Sequence, residues 1–194
     1  MNNRFSNLIY IEPKRGSWMS TLDSVRHSIL PGAKSPRARR PETKSELEFR
    51  QAALFALARA SLTGDATLKF AMVPEVDDSV DTVFRTGSDP YRYECVQLKE
   101  IVPGDVDPQQ TLESLLESLR RRYGTGETLS IAIHLNRNLV TTLGSTATTS
   151  LPAITFWLFG LCARNRGFVV RDPFATFEVY EFDIPNPPSS ITQW

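Results

Sequence analysis

Tyr91-Arg92-Tyr93-Glu94-Cys95-Val96-Gln97-Leu98-Lys99-Glu100-Ile101 reads as a β-strand, because Tyr91, Tyr93, Val96 and Ile101 favour pleated backbone. Side chains on a strand alternate faces, so Gln97 and Lys99 project together while Leu98 points the other way. An amide and an ammonium group leaving an otherwise apolar strand side by side are costly to bury. They are easier to understand at a site than in a core.

Working upstream, Ser79-Val80-Asp81-Thr82-Val83-Phe84 is a second strand candidate, with Asp81 inside it among β-branched residues. Asp81 and Gln97 are 16 residues apart, and Thr86-Gly87-Ser88-Asp89-Pro90 between them is rich in turn formers. Two adjacent antiparallel strands follow, and they bring Asp81, Gln97 and Lys99 to one spot. Ala66 to Val73 is a further strand, with a turn at Pro74 to Asp78. Before it, Thr43-Lys44-Ser45-Glu46 fits a capping box, and the good helix formers continue to Ala60. Leu47, Leu54, Phe55, Leu57 and Ala58 give this helix an apolar face, and Gly64 ends it.

This constellation resembles the PD-(D/E)xK nuclease superfamily, whose fold is restriction-endonuclease-like. The family places an Asp on one strand and an acid-x-Lys on the next, often joined by a Glu from the preceding helix. Asp81 matches the Asp and Lys99 the Lys, while Gln97 stands where the acid usually is, as in Mrr-type restriction enzymes. The resemblance covers about Thr43 to Asn136. It implies a three-layer α/β/α core with a central mixed β-sheet and a magnesium- or manganese-dependent nuclease, with DNA as the substrate class. Asp81 would then be the principal metal ligand, with the Gln97 side-chain oxygen and the Leu98 carbonyl as further donors. Glu48 would hold a metal-bound water or a second ion, with Glu46 as the fallback, and Lys99 would orient the attacking water. Read without the family, both glutamates simply favour the positive end of a helix. A neutral amide also binds a divalent cation less well than a carboxylate.

Downstream, Pro108 to Tyr123 reads as a helix with Leu112, Leu115, Leu116 and Leu119 on one face. Arg120, Arg121 and Arg122 load its last turn, where they suit the helix dipole and form either a solvated end or a phosphate contact. Leu129 to Leu135 is a strand, and Asn136 to Ser150 a loop. Leu151 to Cys162 reads as a buried helix with Pro152 near its start. Gly167 to Arg171 and Thr176 to Phe182 form a closing pair of strands around Asp172-Pro173. His134 is a lone histidine near a strand end and reads as structural.

The division is therefore a basic extension over 1–42, an α/β domain over 43–184 and a tail over 185–194. Positive and negative side chains balance over the whole chain, but residues 1–43 hold eight basic against three acidic groups, which leaves the rest at −5. That arm is either a DNA-binding extension or a solvated tail. Phe5 and Leu8 to Ile11 within it form a short strand or a packing segment.

Cys95 and Cys162 have neither metal spacing nor a disulfide framework, and each is placed in apolar surroundings. No apolar leader opens the chain, and Leu151 to Cys162 falls short of the about 20 residues that span a bilayer. The expectation is a cytoplasmic protein without a membrane partner, and a homodimer if its site cuts both strands of a duplex. Two alternatives stand beside the nuclease. One is a nuclease-like domain that has lost catalysis and binds nucleic acid or protein. The other is an unrelated α/β interaction protein in which Lys99, Glu94 and Glu100 are ordinary strand surface.

Overall fold

The computed structural model describes residues 5–13, 44–74, 80–87, 93–101, 114–115, 129–135, 154–163, 166–171 and 178–184. Helix α1 is Lys44–Thr63. It stops at Gly64, whose φ of +67° is a left-handed conformation that a side chain would oppose. The Thr63 hydroxyl donates to the Arg59 carbonyl in the last turn at 2.9 Å. Seven strands follow: β1 Lys69–Met72, β2 Thr82–Arg85, β3 Tyr93–Ile101, β4 Leu129–Leu135, β5 Ile154–Ala163, β6 Arg166–Arg171 and β7 Val179–Asp183.

The strands form one mixed sheet, in which each neighbours the next in chain order. β1, β2 and β3 are antiparallel. β3, β4 and β5 are parallel, and β5, β6 and β7 are again antiparallel. The parallel centre is the most enclosed part, and every residue of β4 is buried. Such burial on both faces is what removes the polar–apolar alternation from Leu129–Leu135.

On one face lie α1, Phe70, Phe84, Val96, Leu98, Ala132, Trp157 and Phe159. Phe55 is the hub, with ring centroids 5.4 Å from Phe84, 5.6 Å from Trp157 and 5.1 Å from Phe159. The other face is built on Val83, Ile131, Ile133, Leu158 and Val170. Phe5 packs there, edge-on to Tyr93 at 5.1 Å. Leu115 packs there too, and it is helical together with Ser114. The remainder of the expected 108–123 helix, with Arg120 to Arg122, lies outside the described residues.

Three expectations need correction. The run Leu151 to Cys162, read as a helix, contains β5 over Ile154–Ala163. Trp157 and Phe159 face α1 while Phe156 and Leu158 face the other side, so the period is two with both sides apolar. A continuous apolar run is compatible with a buried helix or a central strand, and here the β-branched and aromatic content was the deciding signal. Second, α1 has no single apolar face: Gln51 to Ala58 are all buried. The helix touches β1 at one end of the sheet and β6 and β7 at the other, so the sheet curls around it. Third, Cys162 is exposed on a strand rather than enclosed in a helix.

The described part of the amino-terminal arm is a packing segment that also adds one β-bridge. Ile11 exchanges two backbone hydrogen bonds with Phe70 at 2.8 and 2.9 Å, and Glu12 pairs with Lys69 at 2.8 Å. Among the described residues, no helix is long and apolar enough to cross a membrane.

Candidate functional site at the β2–β3 fork

β2 and β3 pair from Arg85↔Tyr93 to Thr82↔Val96 and then part. β3 continues to Ile101 beside β4, so its β2-side edge outruns its partner. Asp81 stands where the strands separate. It is a bend just before β2 rather than a residue within it. Its backbone still bridges both neighbours: its N–H donates to the Val96 carbonyl at 3.1 Å, and its carbonyl accepts from the Val73 N–H at 3.0 Å. Its carboxylate oxygen Oδ2 accepts the Leu98 N–H at 2.6 Å. The carboxylate therefore takes the place of the ladder carbonyl that β2 no longer supplies. A strand residue sends its N–H and C=O to the same edge, so the Leu98 carbonyl leaves β3 on the Asp81 side.

Gln97 and Lys99 flank this bond. Their partners on β4 are Ile131 and Ile133, which places both on the face away from α1. Gln97 is only 1 % exposed and Lys99 is half-buried. Gln97 makes contacts within the protein, although its Oε1 is shut off from solvent and accepts no hydrogen bond among the described residues. Glu48 is half-buried on α1, the helix that covers the opposite, Leu98-bearing face. Glu46 is helical. The fold thus joins Asp81, Leu98, Gln97 and Lys99 around one strand edge and carries Glu48 on a different layer. Among the described residues, no three His, Cys, Asp or Glu side chains converge to hold a metal ion. The oxygen donors present are one carboxylate, the Leu98 carbonyl and the Gln97 amide. That set meets the lower limit for a hard cation such as magnesium, which takes one or two carboxylates and keeps several waters.

The other polar residues of β3 turn toward α1. Glu100 lies 3.6 Å from His134 Nδ1, and the His134 ring stacks on Phe159 at 5.1 Å. His134 is buried in this structural role. Glu94 has more partners than its sequence context announced. Arg59 Nη1 donates to both its oxygens at 3.1 Å, and the Ser130 hydroxyl donates to Oε1 in a short bond. Arg59 also lies 4.4 Å over the Trp157 ring. This Arg59–Glu94–Ser130 cluster was not foreseen, because its members come from α1, β3 and β4 and share no motif. The one available signal was the alternation that sends Glu94 to the Leu98 side of the strand. Asp77 and Asp78, in the expected turn before β2, lie outside the described residues.

No family model, no curated protein and no solved structure matches the chain.

Proposed function

We propose that the chain is a metal-dependent phosphodiesterase, a nuclease acting on DNA, with its site at the β2–β3 fork. The observation that carries the reading is the Asp81 carboxylate bound to the Leu98 N–H between Gln97 and Lys99. The order helix, three antiparallel strands, a helical segment at Ser114–Leu115 and a parallel fourth strand supports a restriction-endonuclease-like core. With α1 on one face and Leu115 on the other, a three-layer α/β/α arrangement is the finer form of that proposal.

Asp81, the Leu98 carbonyl and the Gln97 side-chain oxygen are the residues that would hold magnesium or manganese. Such an ion, when bound, relieves phosphate charge and activates water. The chain's own contributions are separable from it. The Leu98 N–H fixes the Asp81 carboxylate in place. Lys99 supplies a positive group one strand position beyond, suited to charge developing on a phosphate oxygen. In this proposal Glu48 remains a helix residue outside the ligand set. The basic arm contacts the DNA backbone, and a homodimer places two sites on the two strands.

The test is incubation of supercoiled, linear and single-stranded DNA with the full chain in magnesium or manganese, beside an EDTA control. Metal-dependent cleavage supports the reading.

A second reading is favoured by the burial of Gln97 at the position where an acid would bind metal most strongly. It is a nuclease-like domain that binds nucleic acid or protein without cutting. Calorimetric titration with manganese separates the two: heat lost in Asp81→Asn belongs to the nuclease, and no binding belongs to the second reading.

A further inference from the structure

We draw no further inference here: the strongest candidate, the cleft at the first residues of β3, β4 and β5 between Arg59 of α1 and Tyr180 of β7, balances Arg59 and Arg171 with Glu94 and Glu178 in its lining, and nothing in the structure shows what covers it.

Discussion

The carboxylate of Asp81 accepts the backbone N–H of Leu98 at 2.6 Å, where the β2–β3 ladder ends. One side chain thereby closes the sheet at its fork and holds a negative charge beside Gln97 and Lys99. Asp81→Ala leaves the Leu98 N–H without this acceptor and should cost about 1–3 kcal/mol in urea unfolding. Asp81→Asn keeps an acceptor oxygen and should cost less, because only the charge assistance is lost. Equal stability of all three proteins would mean that the bond contributes nothing to the fold.

Phe55 joins α1 to β2 and β5 through Phe84, Trp157 and Phe159. Phe55→Ala opens a cavity at the centre of that face, and the loss should be about 3–5 kcal/mol. Phe55→Leu retains most of the volume and should fall well short of it. Chemical denaturation of the two variants beside the parent chain checks the ordering.

Gly167 on β6 is paired with Phe182 on β7. A Cβ added at Gly167 would lie 2.3 Å from the Phe182 ring, which is itself buried. Gly167→Ala should therefore destabilise by about 1–3 kcal/mol through overpacking, against the few tenths to 1 kcal/mol that stiffening the unfolded chain supplies. The double variant Gly167→Ala with Phe182→Leu should recover part of the loss, a coupling that a double-mutant cycle measures.

The carboxyl of Asp65 is held below its ordinary value of 3.8, first by the Thr67 hydroxyl and then by the Thr67 N–H, which donate to Oδ1 at 2.6 and 2.7 Å. A folded-state value below the unfolded one means that the charged form stabilises the fold. That contribution is complete above the ordinary carboxylate range and disappears as pH falls through the folded-state value. The melting-temperature gap between the parent chain and Asp65→Asn should thus be present well above the ordinary value of 3.8 and shrink as the pH falls below it. A gap that is constant across this range would separate the Asp65 turn from any charge effect.

The sequence disclosed most where local chemistry and the fold agree. The β2–β3 hairpin was legible from β-branched residues on either side of a turn, the start of α1 from Thr43 to Glu46, and β4 from its apolar run. β5 was misread because burial on both faces erases the period that separates a strand from a helix. The all-round burial of Gln51 to Ala58 follows from the curl of the sheet, and no helix carries that information in its own residues. At the site, alternation placed Gln97 and Lys99 on one face. It could not show that the Asp81 carboxylate would be taken by the Leu98 N–H, because that bond depends on where β2 stops. The Arg59–Glu94 pair, 35 residues apart in the chain, is a product of packing alone.

The most direct measurement on the fork is DNA cleavage by the parent chain and by Lys99→Ala in magnesium and in manganese, with melting temperatures recorded for both. A hydrolytic fork gives metal-dependent cleavage that disappears in Lys99→Ala while the melting temperature stays within a few degrees, since a half-buried lysine near the end of a strand contributes about 1 kcal/mol or less to the fold. Cleavage that survives in Lys99→Ala, or a parent chain that cuts none of the DNA substrates with either metal, would contradict it.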